Sequence, residues 1–168
     1  MKEMKYSERF DDFCAAMEND GAFLVVTDKQ GKTNVMTIGW STIGVIWYEP
    51  VIQVLVRPTR HTYTIIENAT HFSVCLPVGK MQKELAYCGS HSGKDKDKFK
   101  ECNLKLLPGQ TKGISVIDGC DIYYECELIH KNKVMKETLD PRISKKYYTN
   151  SDQHSIYFGK ILKAYIND

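Results

Sequence analysis

The sequence predicts a mainly β protein, an antiparallel β-barrel with short helices between its strands. Three observations lead to this fold class. About seven segments have the length and the β-branched and aromatic content of strands. Turn residues separate these segments, and the helical stretches between them are short. Strands and helices do not alternate as they do in a parallel βαβ sheet, which favours an antiparallel barrel decorated by helices.

The predicted strands cover residues 22–28, 33–39, 43–47, 51–56, 71–76, 122–129 and 155–166. The first two strands form a hairpin around a turn at 29–31. A second turn at 48–50 joins the next two strands, and Gly159 is predicted to form a bulge in the last strand.

Helical spacing of apolar residues indicates helices at 7–19, 59–68 and 81–87, with one or two helical turns at 95–101. The first of these, within residues 1–20, is expected to pack on the barrel, with Ser7 as its N-cap. Residues 103–112 read as a loop. Residues 131–133 are either a hairpin turn or the start of an insertion, and the polar stretch 138–150 has no assigned structure.

Composition and charge narrow the class of protein. The chain has 168 residues, of which 42% are hydrophobic and 26% charged, which suits one soluble domain over 1–168. A net charge of +2 is too small to indicate nucleic acid or an anionic membrane as a partner. No apolar run approaches the ~18 residues of a membrane span, and the first residues are polar. A cytoplasmic protein is therefore expected.

The six cysteines include no Cys-x-x-Cys pair, so a zinc ribbon or thioredoxin-type motif is excluded. Cys75 and Cys126 lie in apolar strand patterns and are expected in the core. Cys88 and His91 have a ligand-like spacing, but one such pair cannot fill a tetrahedral metal site. No metal site is predicted, and reduced thiols fit an intracellular compartment.

A candidate ligand site lies where two neighbouring strands end. One strand ends at Gly39 and is followed by Trp40 and Ser41; the other is followed by Arg57 and Arg60, with Thr59 and Thr62 nearby. An aromatic ring, hydroxyls and planar guanidinium groups suit a flat, phosphorylated ligand. The alternative is a solvated loop whose arginines pair with carboxylates, beside a strand whose tryptophan belongs to the core.

Two further features could complete such a site. The segment 92–99 carries a local surplus of lysines, and His154 stands at the start of the last predicted strand. The first could equally be a solvated helical face, and a single exposed histidine usually has no special role.

Together these residues resemble the flavin reductase-like family, and its flavoredoxin branch most closely. Four motifs carry the resemblance, in order along residues 20–166: Asn34-x-Met36-Thr37-x-Gly39-Trp40, Arg57-Pro58-Thr59-Arg60-x-Thr62-Tyr63, Ser92-Gly93-x-Asp95-x-Asp97-Lys98-Phe99 and His154-x-Ile156-x-x-Gly159. The resemblance implies an FMN-binding split β-barrel that forms a homodimer, with FMN near the subunit interface.

The resemblance also implies roles for individual residues. The isoalloxazine ring would be lined by Met36, Thr37, Ile38, Gly39, Trp40 and Ser41. The phosphate would be held by Arg57, Thr59, Arg60 and Thr62, and Tyr63 would also contact the cofactor. Ser92, Gly93 and Lys98 would close over the cofactor, and His154 would approach a nicotinamide substrate.

The expected function is electron transfer through bound FMN, as an NAD(P)H-dependent flavin reductase or as a flavoredoxin-like carrier that takes electrons from a redox protein. The flavin would supply the chemistry, so no catalytic side chain is assigned. The alternatives are a non-catalytic flavin-binding split-barrel module and an enzyme resembling pyridoxamine-phosphate oxidase.

Overall fold

The computed structural model describes residues 1–150 and 152–167 and confirms the mainly β fold. Its strands, in chain order, are β1 (Lys2–Glu3), β2 (Ala22–Thr27), β3 (Thr33–Ile38), β4 (Ser41–Ile46), β5 (Glu49–Val56), β6 (His71–Leu76), β7 (Leu106–Pro108), β8 (Ser115–Ile117), β9 (Ile122–Lys133) and β10 (Ser155–Ile166). Its helices are α1 (Phe10–Glu18), α2 (His61–Ile66), α3 (Gln82–Ser90), α4 (Lys98–Glu101) and α5 (Pro141–Tyr147), with a 3₁₀ turn at Lys136–Thr138.

Eight of the strands form one antiparallel sheet. Its order is β3-β2-β6-β9-β10-β5-β4, with β1 paired to β10, and β7 pairs with β8 in a separate ribbon. β3 and β4 are the two ends of the strand order, and only Gly39 and Trp40 separate them in the chain. The end of β3 therefore lies close to the start of β4, where the sheet is open.

The sheet is covered on both faces, which explains the unbroken apolar sequence of β2. Leu24 and Val26 pack into one core, whereas Phe23 and Val25 pack into the other. The first core includes residues of α1 and α2, and the second lies under α3 and the β7–β8 ribbon. A strand buried on both faces has no polar side to alternate with.

The central pair β9–β10 is long and bent. Its register shifts between Phe158 and Gly159, which confirms the predicted irregularity at Gly159. A Cβ atom at this position would lie 2.4 Å from Cζ of Phe72, so a larger residue would displace that ring. The glycine lets the two strands curve around the first core.

Several boundaries differ from the sequence predictions. β9 continues through 131–133, so these residues are neither a hairpin turn nor the start of an insertion. The predicted loop 103–112 contains β7, and the unassigned stretch 138–150 contains α5. α1 begins at Phe10 with Arg9 as N-cap, not Ser7. These elements are short or rest on tertiary pairing, which local patterns do not encode.

The turn between β4 and β5 also differs from its predicted position. It is formed by Trp47 and Tyr48, whereas the sequence predicted residues 48–50. Both residues have positive φ angles, 56° and 60°. This backbone normally takes Asn-Gly, so two aromatic residues were a poor signal for it.

Candidate functional site

Two cavities meet at Arg60. The strand-end cavity, of about 190 Å³, is lined by Met36, Thr37, Ile38, Gly39, Trp40, Leu55, Arg57, Arg60 and His154. The cationic cavity, of about 150 Å³, is lined by Thr59, Arg60, His61, Thr62, Ser90, His91, Ser92, Gly93 and Lys98. Most of the predicted site residues therefore line one of two cavities that share Arg60 as a common wall.

The end of β3 forms the floor of the strand-end cavity. Met36 and Ile38 are buried, while Thr37 faces α3 and donates its hydroxyl proton to the carbonyl oxygen of Leu85 at 2.6 Å. No heavy atom lies within 4 Å of a Cβ built on Gly39. The backbone at Gly39 is thus open on the side where a side chain would stand.

Arg60 and Lys98 supply the positive charge of the cationic cavity. Arg60 donates from Nη1 to the carbonyl of Gly89 at 2.7 Å, and Lys98 donates from Nζ to the carbonyl of Val35 at 2.7 Å. Among residues 1–150 and 152–167, neither cation forms an ion pair with a carboxylate. Their charges are therefore available to an anion.

Lys98 is almost completely buried, with 3% of its surface exposed. Burial, and the nearby Arg60 guanidinium, lower the pKa of its ammonium group to about 8. An ammonium group held in such surroundings gains from an anionic partner, because the partner offsets the cost of desolvation.

Hydroxyl and amide groups surround these cations. Asn34 donates its side-chain amide to Thr62 Oγ1 at 2.8 Å, and Gly93 lies so close that a Cβ there would be 2.2 Å from Asn34 Oδ1. Thr59 donates to a carboxylate oxygen of Asp152 at 2.8 Å. Asn34 stood in the first motif without an assigned role, and the structure places it beneath the cationic cavity.

Arg57 is held in a different way from Arg60. It donates to the carbonyl oxygens of Asp152 at 2.6 Å and Tyr147 at 2.8 Å, and its guanidinium lies 5.1 Å from the ring centroid of Tyr148. It lines the strand-end cavity and not the cationic cavity. Arg57 therefore fastens Tyr147 and Asp152 beside the site.

His154 lies against Trp40 inside the strand-end cavity. The ring centroids are 4.9 Å apart, and Nδ1 of the histidine is 2.9 Å from the hydroxyl of Tyr148. Burial and the charge of Arg57 lower the pKa of His154 to about 4, so its imidazole is neutral at pH 7. A buried, partnered histidine replaces the exposed one that the sequence suggested.

Two predicted residues lie outside both cavities. Ser41 donates its hydroxyl proton to the carbonyl of Gln53 at 2.5 Å within the β4–β5 pair. Tyr63 packs against the first core, with its ring 6.5 Å from that of Tyr157. The sequence missed residues at the cavity walls that had no motif of their own, namely Leu55, His61, Ser90 and His91.

Comparison with known proteins agrees with this architecture. The flavin reductase like domain matches residues 18–168. A flavoredoxin structure from Methanosarcina acetivorans has 26% identity and a TM-score of 0.67, over 88% of this chain and 68% of that one. The FMN-binding domain of a flavin reductases-like enzyme from Shewanella baltica has 18% identity and a TM-score of 0.67, over 99% of this chain and 78% of that one.

The fold is that of the split β-barrel proteins. The chain belongs to the flavin reductase-like family, because the family's domain covers nearly its whole length. An uncharacterized protein of Archaeoglobus fulgidus is 24% identical over 117 residues, 70% of this chain and 65% of that protein. This chain thus spans less than two thirds of that relative.

No helix within the described ranges is long and apolar enough to cross a membrane.

Proposed function

We propose that the chain is a flavin-dependent oxidoreductase that binds FMN across the strand-end and cationic cavities. The observation that carries this proposal is the junction at Arg60, where a recess with aromatic and apolar walls adjoins one with two cations that pair with no carboxylate of the described residues. FMN has the same order of parts, a flat ring followed by a phosphate. Membership of the flavin reductase-like family and the FMN-binding domain among its structural neighbours support the proposal.

The residues divide between the two parts of the cofactor. We assign the isoalloxazine to the end of β3 and the residues after it, where the open backbone at Gly39 permits close approach. We assign the phosphate to the cationic cavity, with Arg60 and Lys98 as its charged partners. Also at the phosphate we place the hydroxyls of Thr59, Thr62 and Ser92 and the backbone of Gly93.

Bound FMN would supply reversible electron chemistry, and the chain would supply binding, orientation and exclusion of water. The neutral imidazole of His154 can donate or accept a hydrogen bond through the nitrogen that does not face Tyr148. Because this ring packs on Trp40, its plane is fixed relative to the strand-end cavity. Both side chains would therefore position a reacting group without carrying charge.

Two electron donors fit this proposal, and one experiment separates them. FMN-loaded protein is mixed anaerobically with NADH or NADPH, and its visible absorption is followed. Bleaching by either nucleotide supports an NAD(P)H-dependent reductase. Bleaching only by a reduced redox protein supports a flavoredoxin-like carrier. A protein that binds FMN but is reduced by neither would be a non-catalytic module, contrary to the proposal.

We also propose that the protein is a homodimer that uses the tip of the β4–β5 hairpin. Val45 and Trp47 are 60% and 59% exposed there, and Tyr48 is fully exposed. Aromatic side chains at positive φ are costly, and their presence supports a role in contact with another surface. Exposed apolar groups of this kind are typical of protein interfaces.

A further inference from the structure

A third cavity, which is broadly open to solvent and which we call the lateral chamber, adjoins the strand-end cavity and has a volume of about 550 Å³. The two share Gly39, Trp40 and Leu55 as a common wall. A volume in this range suits a small organic molecule, since ligand pockets typically measure about 300–1,000 Å³. The lateral chamber is therefore large enough to hold a second molecule beside whatever occupies the strand-end cavity.

The outer wall of the lateral chamber is formed by residues 134–147, which follow β9. Val134, Leu139, Ile143 and Tyr147 line it from this side. Val134 is tied to the start of β10 by a hydrogen bond from its amide to the carbonyl of His154 at 2.9 Å. Arg57 holds the other end of the segment at Tyr147. Because both ends are attached, the wall has a defined position.

The lining of the lateral chamber carries no charged side chain, in contrast to the other two cavities. Two of its four side-chain hydroxyls are engaged: Ser41 donates to Gln53, and the hydroxyl of Tyr148 bonds to His154. Two cations lie just outside the lining: the exposed Lys146, with Nζ 4.9 Å from the centre of the Tyr147 ring, and Arg57, which is already paired with Asp152. A charged ligand would therefore lose hydration without gaining a direct partner in the lining, which is costly. An uncharged molecule pays no such penalty.

The aromatic residues of the lateral chamber favour a flat ligand. The rings of Trp40 and Tyr147 are 5.0 Å apart and nearly perpendicular, at 84°. Trp40 is 38% exposed and Tyr147 40%, so both rings retain free surface. Exposed aromatic faces and edges bind planar rings by offset stacking and edge-to-face contact.

We propose that the lateral chamber binds an uncharged planar molecule of the aromatic or quinone class. Binding of such a molecule does not depend on the proposed function. Its role as a substrate does, because only a flavoprotein would exchange electrons with it. Its position against the common wall of Gly39, Trp40 and Leu55 places the molecule next to the strand-end cavity. A second copy of this chain is the other candidate occupant, and the experiment below distinguishes it.

The test uses calorimetric titration of the full chain with 2-naphthol and with 2-naphthalenesulfonate, which share a ring system and differ in charge. The two affinities are compared in the presence of saturating FMN, so that the cationic cavity is not available to the sulfonate. We expect 2-naphthol to bind at least about tenfold more tightly, because the sulfonate must be desolvated. Binding of 2-naphthol should persist when the protein is saturated with FMN. Equal affinities for both probes, or displacement of 2-naphthol by FMN, would overturn the proposal.

Two matched variants locate the site. Ile143→Asp places a carboxylate in the lateral chamber and should weaken 2-naphthol binding by about tenfold or more. Phe10→Asp, at a helix position with the same exposure of 45%, should leave binding unchanged. Equal effects of the two substitutions would count against the proposal. The comparison of probes on the unaltered chain decides the matter even where a variant does not fold.

Two controls distinguish this proposal from the proposed FMN site and from occupation of the chamber by a second copy of the chain. FMN is titrated into the same samples: loss of FMN binding with 2-naphthol binding intact contradicts the proposed function and supports the lateral chamber. Light scattering gives the oligomeric state. If 2-naphthol does not bind the unaltered chain and Ile143→Asp converts a dimer to a monomer, a second copy occupies the chamber and the proposal is wrong.

Discussion

Arg60 and Lys98 donate hydrogen bonds to the same backbone oxygen, that of Cys88, at 3.3 Å and 3.1 Å. Arg60 precedes α2, and Lys98 begins α4, so the end of α3 brings the two together. The last carbonyls of a helix lack partners within it and carry partial negative charge. They fix the two cations in place without neutralising them as a carboxylate would.

We expect Arg60→Ala to weaken FMN binding by about tenfold or more, since a charge-assisted hydrogen bond contributes ~1.5–3 kcal/mol. Quenching of flavin fluorescence on binding measures the dissociation constant. Arg142→Ala is the matched control, because the side chain of Arg142 is 91% exposed and its one ion pair among the described residues is with Asp140 beside it. An unchanged dissociation constant for Arg60→Ala would contradict the assignment of the phosphate to the cationic cavity.

FMN affinity should fall as the pH rises through the pKa of Lys98, which lies at about 8. The protonated ammonium is the form that attracts phosphate, and a phosphate monoester is already a dianion above its second pKa of ~6. The decline should approach about tenfold per pH unit above 8. Lys98→Met should bind FMN more weakly at pH 7 and show a flatter profile between pH 7 and 9.

The same lowered pKa gives a stability prediction of opposite sign. The unfolded chain holds the Lys98 proton more tightly than the folded chain, so the cofactor-free protein should gain stability as the pH rises above about 8. Chemical unfolding of the unaltered chain and of Lys98→Met at two pH values measures this difference. An identical pH dependence for the two proteins would mean that Lys98 is not buried as an ammonium group.

Arg57→Ala should loosen the segment 141–150 while affecting FMN binding less than Arg60→Ala does. Arg57 bonds to the backbone at Tyr147 and Asp152, so its loss frees that segment from the barrel. Hydrogen exchange with mass spectrometry should show faster exchange across 141–150. Arg142→Ala, within the same segment, should leave exchange unchanged. Equal exchange in Arg57→Ala and the unaltered chain would contradict this role.

Replacing Trp47 and Tyr48 by Asn and Gly should convert the proposed dimer to a monomer. Asn-Gly is the sequence that a two-residue turn with two positive φ angles prefers, so the hairpin itself should still form. Light scattering measures the mass. Phe10→Ser, which removes another exposed aromatic side chain, serves as control. A double variant that remains dimeric would place the interface elsewhere.

The parts of the fold that were predictable from sequence are those with local causes. Burial on both faces leaves an unbroken apolar run in β2, and the register shift leaves a glycine at position 159 inside a strand pattern, so both can be recognised locally. The position of α5 was not predictable, because its polar sequence is held by Arg57, which lies 90 residues away from Tyr147 in the chain. Local patterns carry no record of such a contact.

The motifs of the candidate site could be recognised in the sequence, but the geometry of the two cavities could not be predicted from it. The lysine-rich stretch offers Lys94, Lys96, Lys98 and Lys100 as equivalent candidates. Only the backbone entering α4, capped by Asp97, turns Lys98 into the interior beneath Val35. In the same way, Arg57 and Arg60 take different partners, although the sequence pattern assigned both of them to the phosphate.

The measurement that tests the central proposal most directly is a comparison of FMN and riboflavin binding to the purified chain by flavin fluorescence. The two ligands share the ring and differ in the phosphate. If the cationic cavity holds that phosphate, FMN should bind more tightly by about a hundredfold, the effect of ~2.7 kcal/mol. Equal affinities for the two ligands, or no binding of either, would contradict the account.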